Sequence, residues 1–423
     1  MDFVQVYPGN LQGTVTIPPS KSDAHRAVIC AALSRGVSKI APIELSEDIT
    51  ATLRAVETLG VSVRLEENVL TVDGSALGTA RSRELDCGES GSTLRFFIPI
   101  AAALGLPVRF TGRGRLPQRP LGTYLECLPP AGVNCQSTGG LPFSIHGKLQ
   151  GGRFAVAGNV SSQFITGLLL ALPLTGEDSE IVLTTPLQSA GYVEMTIRTM
   201  AAFGVTVEKT MAGYRIAGGQ RYQPQNYAVE SDWSQAGFYL AAGALGSRLA
   251  LHGLRRDSIQ GDRTAEAVFS AFGAQLEWQG KALIVSPGVL RGIAVDASQI
   301  PDLVPPIAAA AALAEGESKI TGAGRLRLKE SDRLAAMASA INALGGSVQE
   351  GEDGLVIQGV SSLKGGRVSG CNDHRVVMAM AVAALRAGGP VEITDPHSIR
   401  KSYPSFFKEY NRLGGNAHVF HMG

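Results

Sequence analysis

Eight short segments of this sequence carry side chains that could bind anions or transfer protons. They cover residues 18–26, 88–95, 112–122, 159–164, 300–303, 325–334, 373–375 and 400–404. Their Lys and Arg side chains suit phosphate and carboxylate groups, and their Ser and Gln side chains add neutral hydrogen bonds. Asp302 and Glu330 supply carboxyl groups that could accept or donate a proton. Together these residue types indicate a site for polyanionic small molecules.

Each segment also has an ordinary structural explanation. Residues 18–26, 88–95 and 159–164 could be plain capped helix starts, and Asp302 could be a simple N-cap. The Gly- and Pro-containing stretch 112–122 holds three arginines, which suit either a solvated loop or a mobile anion clamp. Lys329, Glu330 and Arg333 could form an ion-paired surface. No single segment therefore decides the function.

The motifs that are missing narrow the chemistry. The phosphate-binding pattern G-x-x-x-x-G-K-[ST] does not occur. His, Asp and Glu are scattered along the sequence without H-E-x-x-H or zinc-type Cys/His spacing, so we expect no metal site. The five cysteines form no C-x-x-C pair, which is typical of a reduced, cytoplasmic protein. The first ten residues do not follow the pattern of a signal peptide, in agreement with that location.

Composition excludes several classes of function. The 423 residues include 38 Lys plus Arg and 37 Asp plus Glu, giving a net charge of +1. Near-neutral charge and an aromatic content of 6% argue against a nucleic-acid-binding repeat protein. The longest apolar runs, near 307–314 and 376–385, are shorter than the ~20 residues of a membrane helix. We therefore expect no nucleic-acid or membrane partner. A monomer is also expected, although composition does not determine the oligomeric state.

An internal repeat organises the elements that must position these segments. Copies of a helix end, a Gly and a short strand follow one another at nearly constant intervals along the whole chain. The glycine predicts a left-handed helix C-cap, and the alternating residues after it predict a strand. Its positions in the six copies are Gly60, Gly132, Gly204, Gly273, Gly345 and Gly414.

A second pattern runs out of phase with the first. Each copy has a polar start followed by an Ala-rich helix, which we expect to be buried because it is apolar on all sides. These helices close at Leu33, Leu104, Leu172, Leu245, Leu313 and Leu385. The free N–H groups and the positive dipole end of a helix N-terminus favour anions, so the polar starts are the places to look for a site.

The sixth copy lacks its last strand, and the N-terminus resembles the missing part. We therefore predict that residues 1–19 complete repeat six and make the second domain discontinuous. The predicted domains are residues 20–228, and residues 1–19 plus 229–423, with three repeats in each.

The eight segments together resemble those of the 5-enolpyruvylshikimate-3-phosphate synthase family. PSKSDAHRA, SGSTLR, RLPQRPLG, VSSQFITGLLLALPL, IPD, LRLKESDRL, DHR and KSYPSFF occur in the family's order and approximate spacing, across almost the whole chain. The resemblance implies a two-domain inside-out α/β barrel of six βαβαββ repeats, three per domain, with the active site in the interdomain cleft. The cleft would close on its substrates by hinging near residues 16–19 and 225–230.

The resemblance also implies a transferase of the shikimate pathway. This family moves the enolpyruvyl group of phosphoenolpyruvate to the 5-hydroxyl of shikimate 3-phosphate through a tetrahedral intermediate, without a cofactor or metal. The herbicide glyphosate mimics phosphoenolpyruvate in this family, and the retained Gly91 predicts that it inhibits here.

The family pattern implies a role for each matching position. Shikimate 3-phosphate would be held by Lys21, Ser22, Arg26, Ser161, Ser162, Gln163, Ser189, Tyr192, Asp302 and Lys329. Phosphoenolpyruvate would be held by Lys21, Gly91, Arg119, Gln163, Arg333, Arg375 and Lys401. Asp302 would be the general base that removes the proton of the 5-hydroxyl. Glu330, assisted by Lys21, would exchange a proton with the methylene carbon, which predicts an upward shift in the pKa of Glu330.

Four residues depart from the familiar pattern. They are Glu89, Ser92, Phe96 and Arg325. A carboxylate at Glu89 would repel an anionic substrate unless an arginine of the 112–122 loop pairs with it.

The sequence leaves two alternative functions open. UDP-N-acetylglucosamine enolpyruvyl transferase shares the fold and the reaction, but its loop usually carries a Cys that residues 112–122 lack. A catalytically inactive anion-binding homologue is disfavoured because Lys21, Asp302 and Glu330 are all present.

Overall fold

The computed structural model describes residues 2–79 and 83–421. These residues contain six four-stranded sheets and twelve α-helices. The chain divides into two units, one of Pro19–Val229 and one of Met1–Pro18 with Glu230–Gly423. The sequence-based boundaries lie within one residue of these divisions, after residues 19 and 228. Each unit contains three of the six sheets.

The elements of the first half begin with two strands, β1 (Phe3–Tyr7) and β2 (Gln12–Thr16). Three groups follow, and one strand ends the series. The first group is α1 (Lys21–Leu33), β3 (Val37–Ala41), α2 (Glu47–Thr58), β4 (Ser62–Glu66) and β5 (Val69–Asp73). The second is β6 (Glu84–Asp86), α3 (Gly91–Ala103), β7 (Val108–Thr111), α4 (Gly122–Cys127), β8 (Val133–Gln136) and β9 (Phe143–Gly147). The third is β10 (Gly152–Val156), α5 (Ser162–Ala171), β11 (Ser179–Leu183), α6 (Ala190–Ala202), β12 (Glu208–Thr210), β13 (Gly213–Ile216), then β14 (Asn226–Ala228).

The second half has the same plan. Its first group is α7 (Trp233–Ala244), β15 (Arg248–His252), α8 (Ala265–Phe272), β16 (Gln275–Gln279) and β17 (Ala282–Ser286). The next is β18 (Ala294–Asp296), α9 (Val304–Ala311), β19 (Glu317–Thr321), α10 (Arg333–Ala343), β20 (Ser347–Glu350) and β21 (Leu355–Gln358). The last is β22 (Gly366–Val368), α11 (His374–Ala383), β23 (Val391–Thr394), α12 (Phe406–Arg412) and β24 (Asn416–Phe420).

All six sheets are built in the same way. In the sheet β6-β7-β9-β8, β6 and β7 are parallel because a helix connects them, and the β8–β9 hairpin adds two antiparallel strands. The other five sheets repeat this order. The βαβαββ repeat predicted from the sequence is therefore confirmed.

The first strands of two repeats are exchanged between the units. β14 directly precedes α7, but it pairs with β3, from Asn226↔Lys39 to Ala228↔Ala41. β2 directly precedes α1, but it pairs with β15, from Arg248↔Gln12 to His252↔Thr16. The chain passes from one unit to the other immediately after each of these strands.

This exchange corrects one prediction and supports another. β1 lies between β23 and β24, so the N-terminus completes the sixth sheet as expected. The prediction that residues 1–19 as a whole belong to repeat six is wrong, because β2 joins the fourth sheet. The reason is that β15, like the matching strands of the other sheets, takes a parallel neighbour, and β14 is already paired with β3.

The six predicted helix-ending glycines all have a left-handed backbone. Their φ angles lie between 80° and 107°. A residue with a Cβ is disfavoured in this region, whereas Gly enters it freely, which explains why Gly returns at each copy.

Ala-rich helices form the interior of each unit. α1, α3 and α5 belong to the buried core of Pro19–Val229, and α7, α9 and α11 to a separate core in the other unit. Small side chains allow such helices to approach closely, and α3 packs on α5 as α9 packs on α11. The predicted burial of these helices is confirmed. Within the described residues, the helices are too short or too polar to cross a membrane.

Candidate functional site

The predicted site residues fall into two groups, one in each unit. Pro19–Val229 contains Lys21, Ser22, Arg26, Gly91, Arg119, Ser161, Ser162, Gln163, Ser189 and Tyr192. The other unit contains Asp302, Lys329, Glu330, Arg333, Arg375 and Lys401.

Serine hydroxyls cap the three Ala-rich helices of Pro19–Val229. Ser20 accepts a hydrogen bond from the Asp23 backbone N–H at 3.3 Å, and Ser90 accepts one from Thr93 at 3.2 Å. Ser161 accepts one from Gln163 N–H at 3.3 Å. The capping explanation is therefore correct for these side chains. It does not exclude a ligand at Ser161, because a hydroxyl that accepts one bond can still donate its own proton.

Lys21 opens α1 and forms an ion pair that sequence analysis missed. Its Nζ lies 2.7 Å from Asp48 Oδ2, and the Lys21 and Asp48 side chains are only 15% and 9% exposed. Asp48 lies in the first turn of α2. Nothing in the sequence spacing of Lys21 and Asp48 indicates this contact, because it depends on how α2 packs against α1.

Arg26 is buried one turn further along α1. Its Nε donates to Thr196 Oγ1 at 2.7 Å, and its Nη2 donates to the Tyr192 carbonyl at 3.0 Å. Its Nη1 donates to the Ser22 carbonyl. Burial lowers the pKa of Arg26 to about 10, although Asp23 acts in the opposite direction. The guanidinium thus joins Ser22 and Tyr192, two other predicted ligands, through their backbones.

A second arginine orients Gln163 at the start of α5. Arg95 Nη1 donates to Gln163 Oε1 at 2.7 Å, and Gln163 Nε2 donates to Ser92 Oγ at 3.0 Å. Arg95 also lies over the Phe164 ring, 5.0 Å from its centroid. Arg95 belongs to the SGSTLR segment, but the sequence indicates no role for it. Its contacts make it a positioning residue for Gln163.

Gly91 leaves room for the nearly buried Arg119. A Cβ added at Gly91 would lie 2.6 Å from Arg119 Nη1 and 3.3 Å from Arg95 Nη1. The loop of residues 112–122 is therefore folded back so that its last arginine reaches the N-terminus of α3. The structure brings Gly91, Arg119 and Gln163 together, three residues that the family resemblance implies for phosphoenolpyruvate.

Ser162 and Ser189 are both buried at helix starts. Ser162 is the first residue of α5, and Ser189 directly precedes α6. Ser189 has a φ of 55°, an uncommon conformation for a residue other than Gly. Such positions often occur at functional sites.

Arg333 is the centre of the group in the other unit. Its Nη1 lies 3.0 Å from Asp302 Oδ1, its Nη2 lies 2.6 Å from Glu330 Oε2, and its Nε lies 2.8 Å from Asp373 Oδ2. The Arg333 side chain is 2% exposed. Three carboxylates from separate segments thus surround one buried guanidinium.

Asp302 bridges two arginines instead of capping a helix. Its Oδ2 accepts a hydrogen bond from Arg375 Nη2 at 3.1 Å, and neither the 3₁₀ turn Pro301–Leu303 nor α9 has a side-chain cap. Burial would raise the pKa of Asp302, but Arg375, Lys329 and Arg333 outweigh it and hold that pKa well below its usual range. Asp302 is therefore an ionised carboxylate near neutral pH. The simple N-cap explanation is wrong for this residue.

Asp373, which sequence analysis placed at the start of α11, has a structural role. Its Oδ1 caps the helix by accepting from the Arg375 N–H at 2.9 Å, and its Oδ2 accepts from Ser331 Oγ at 3.0 Å. Arg375 in turn donates to Ser234 Oγ at 2.9 Å, at the start of α7. Helix starts from three repeats thus share one hydrogen-bonded network.

Two lysines complete this group. Lys401 is nearly buried, and its Nζ donates to the Asn372 carbonyl at 2.6 Å. Lys329 is half-buried, and burial lowers its pKa to about 8, with Arg333 acting in the same direction and Asp302 in the opposite one. A lysine with such a pKa responds strongly to an added anion, because the anion stabilises its charged form.

The structure shows neighbours for Glu89 and Arg325, two of the four residues that depart from the family pattern. The Glu89 carboxylate lies against Gly114 in the 112–122 loop, where a Cβ would collide with it. Arg325 Nη2 donates to the Ser298 carbonyl. The sequence-based idea that Glu89 pairs with an arginine of that loop stays a prediction.

Comparison with known proteins shows which family this arrangement belongs to. The model of the family EPSP synthase (3-phosphoshikimate 1-carboxyvinyltransferase) matches residues 6–410. A 3-phosphoshikimate 1-carboxyvinyltransferase of Clostridium perfringens is 45% identical over 421 residues, which are 98% of this chain and 99% of the relative. One of Clostridium kluyveri is 43% identical over 425 residues, with 100% of both chains covered.

A solved structure gives the same result for the fold. An EPSP synthase from Acinetobacter baumannii superimposes with a TM-score of 0.83 at 28% sequence identity and covers 100% of both chains. This similarity confirms the fold class that the repeats and the segments predict.

Proposed function

The chain belongs to the EPSP synthase family, and from that membership we infer its reaction. It transfers the enolpyruvyl group of phosphoenolpyruvate to the 5-hydroxyl of shikimate 3-phosphate, and it releases inorganic phosphate. The observation that carries this conclusion is the full-length match to relatives named 3-phosphoshikimate 1-carboxyvinyltransferase. The protein is thus a transferase of the shikimate pathway, which leads to chorismate and the aromatic amino acids.

The two alternatives are less well supported. The relatives above carry the shikimate activity in their names, and the UDP-N-acetylglucosamine enzyme is not among them. An inactive homologue would have no need to keep Asp302, Glu330 and Lys21, which are all present.

For shikimate 3-phosphate we propose the ligands that the family pattern implies. In Pro19–Val229 these are Lys21, Ser22, Arg26, Ser161, Ser162, Gln163, Ser189 and Tyr192, with Asp302 and Lys329 from the other unit. The proposal is supported by the grouping of these polar residues at the N-termini of α1, α5 and α6, where free N–H groups favour a phosphate. Arg26 differs from the rest, because the protein already uses three of its nitrogens.

For phosphoenolpyruvate we propose Lys21, Gly91, Arg119, Gln163, Arg333, Arg375 and Lys401. Support comes from the approach of Arg119 to Gly91 in one unit and from the cluster of cations around Asp302 in the other. Arginine forks match carboxylate and phosphate groups, so a ligand carrying both is well suited to them.

We propose that Asp302 takes the proton of the 5-hydroxyl of shikimate 3-phosphate while the oxygen of that hydroxyl forms a bond to C2 of phosphoenolpyruvate. C3 gains a proton from Glu330, assisted by Lys21, which gives the tetrahedral intermediate. Glu330 must be protonated for this step, so its ion pair with Arg333 has to be weakened when the anionic substrates bind Arg333. The C2–O bond to phosphate then breaks, and C3 returns a proton. The low pKa of Asp302 keeps it ionised but makes it a weak base. Anionic substrates that bind Arg375 and Lys329 would weaken the hold of these cations on Asp302, raise its pKa and make it a stronger base.

We also propose that residues of both units serve this single reaction and that the two units are the functional domains. A monomeric, cytoplasmic protein that uses neither nucleic acid nor membrane is the state we expect. The free thiols of all five cysteines agree with a reducing compartment.

Phosphate release tests the function directly. Purified protein is mixed with phosphoenolpyruvate and either shikimate 3-phosphate or UDP-N-acetylglucosamine, without added metal. We expect phosphate only with shikimate 3-phosphate. Release only with the sugar nucleotide would overturn the substrate, and binding without release would support an inactive homologue.

The pH dependence of the reaction should report Lys329. With a pKa of about 8, Lys329 loses its charge above that pH in the free enzyme, and an anion ligand is lost with it. We therefore expect kcat/KM for shikimate 3-phosphate to fall above pH about 8. In Lys329→Arg the decline should move to higher pH, because Arg stays protonated. Lys319→Arg, at an exposed position on β19, is the control and should keep the wild-type profile.

The effect on stability has the opposite sign. The folded-state pKa of Lys329 is about 8 and its ordinary value is 10.5, so the unfolded chain holds more protons between these values. The free energy of unfolding therefore increases as pH rises through this window, because of Lys329.

For the kinetic prediction, a decline in kcat/KM that is the same in Lys329→Arg as in wild type would assign the decline to a group other than Lys329.

Gly91→Ala should weaken the binding of both phosphoenolpyruvate and glyphosate. The new Cβ would lie 2.6 Å from Arg119 Nη1, so the guanidinium must move. We expect a higher KM for phosphoenolpyruvate and a higher inhibition constant for glyphosate. Gly122→Ala is the matched control, because a Cβ there meets nothing within 4 Å. Equal inhibition of wild type and Gly91→Ala would contradict the assignment of Gly91.

A further inference from the structure

Three potential metal ligands meet where the beginning and the end of the described chain lie together. Asp2 directly precedes β1, His397 lies in the 3₁₀ segment Pro396–Lys401, and His421 directly follows β24. One nitrogen from each histidine and one Asp2 oxygen all lie within 4.8 Å of one another. None of the three residues has a role in the reaction described above.

The sheet pairing brings these residues together. β1 is paired on one side with β23 and on the other with β24, and Phe3 is opposite Phe420, with their rings 5.1 Å apart. The Asp395 N–H donates to the Asp2 carbonyl at 3.3 Å, which brings the 3₁₀ segment to the same place. Backbone contacts on both sides therefore hold the three side chains near each other.

We propose that Asp2, His397 and His421 form a binding site for a divalent transition metal ion of the zinc type. Two imidazoles and one carboxylate are a donor set that such ions prefer, and the fourth position would be filled by water. A site with one formal negative charge offsets half of the charge of the ion.

The distances already approach those of a metal site. Asp2 Oδ2 lies 2.9 Å from His397 Nε2 and 2.9 Å from His421 Nδ1. A tetrahedral ion with bonds of about 2.0–2.1 Å holds its ligand atoms about 3.3 Å apart. Binding therefore requires Asp2 Oδ2 and each histidine nitrogen to separate by a few tenths of an ångström. The two nitrogens lie within 4.8 Å of each other and would have to adopt the same spacing of about 3.3 Å.

The imidazole rings must also turn. They are nearly parallel, with 9° between their planes, whereas an ion must lie close to the plane of each ring that binds it. The side-chain torsion that turns the ring, χ2, is broad and soft. His421 is 70% exposed and His397 is 39% exposed, so both have space to rotate. The ion would replace the two N–H bonds to Asp2, and the other nitrogen of each ring would carry the proton.

This site contradicts the sequence-based expectation that the chain has no metal ligand set. That expectation relied on local spacing, and residues 2, 397 and 421 have no local spacing. The ion would be structural, because it would connect the two ends of the described chain, which meet at one end of the sixth sheet, to the segment that carries Lys401.

Zinc binding to full-length, untagged protein tests the proposal. After treatment with a chelator, titration calorimetry with Zn²⁺ should give one ion per chain, and thermal unfolding should shift to higher temperature. Co²⁺ should give the visible absorption of a site with nitrogen ligands. His397→Ala and His421→Ala should each weaken binding by about tenfold or more.

His418→Ala is the matched control, because His418 lies on β24 but outside the cluster. It should bind Zn²⁺ as wild type does. Absence of binding to wild type, or equal binding by the wild type and both cluster variants, would overturn the proposal. Phosphate release without metal should be unchanged in all three variants, which separates failure of this site from failure of the proposed function.

Discussion

Arg333→Ala should both destabilise the protein strongly and abolish phosphate release. Its guanidinium is 2% exposed and contacts Asp302, Glu330 and Asp373. Its removal would leave these carboxylates without their shared partner, and loss of one member of a buried ion pair typically costs about 3–5 kcal/mol. Thermal unfolding should show a large fall in Tm, and the steady-state assay should show no turnover.

Arg327→Ala is the control for this prediction. Arg327 also pairs with two carboxylates, Asp332 and Glu350, but these groups are partly exposed. Exposed pairs contribute about 0–1 kcal/mol, so its Tm should change little. If Arg333→Ala unfolds at the same temperature as Arg327→Ala, the buried network contributes no more than an ordinary surface pair.

Arg333→Lys separates charge from geometry. It keeps the positive charge but cannot reach three carboxylates with one planar fork. We expect a variant that is more stable than Arg333→Ala yet has a raised KM for phosphoenolpyruvate. A KM equal to that of wild type would remove Arg333 from the proposed ligands.

Asp302→Asn should reduce kcat by about 10²–10⁴, the usual contribution of a positioned acid or base. The amide has nearly the same shape, so it keeps one acceptor oxygen toward Arg333 and Arg375 but cannot take the proton of the 5-hydroxyl. Direct titration should show that shikimate 3-phosphate still binds. Phosphate release under saturating substrates would measure kcat.

Asp332→Asn is the matched control for Asp302→Asn. Asp332 caps α10 by accepting from the Ala335 N–H at 3.1 Å, and Asn is an equally good cap. We expect wild-type kcat in this variant. Wild-type kcat in Asp302→Asn would exclude Asp302 as the base and leave it as an ionic support for the arginines.

Much of the fold could be predicted because its determinants are local and repeated. Each helix-ending glycine, such as Gly60, reports a backbone φ that other residues avoid, and each Ala-rich helix reports a buried position. The pairing partner of β2 could not be predicted, because it depends on which sheet has an open edge. That edge is left by β14, which lies in a distant part of the sequence.

The candidate site shows the same division. The segments around Lys21, Asp302 and Glu330 could be recognised, because their residue types and order are distinctive. The Lys21–Asp48 pair and the three contacts of Arg333 could not be predicted, since they arise from packing between elements. The Asp2, His397 and His421 cluster had no sequence signal for the same reason.

The exchanged strands also set the order in which the protein can form during its synthesis. Pro19–Val229 is one continuous stretch that carries all of its strands, so it can fold once residue 229 has left the ribosome. β1 and β2 are made first, but their partners β15, β23 and β24 come much later. At ~5–20 residues per second, β1 waits about 10–40 s after residue 229 for β24. β15 ends only 23 residues after residue 229, so β2 can pair within about 1–5 s. Until β23 and β24 are made, the nascent chain has a folded middle and one unpaired leading strand, β1, which is the part most in need of protection by a chaperone.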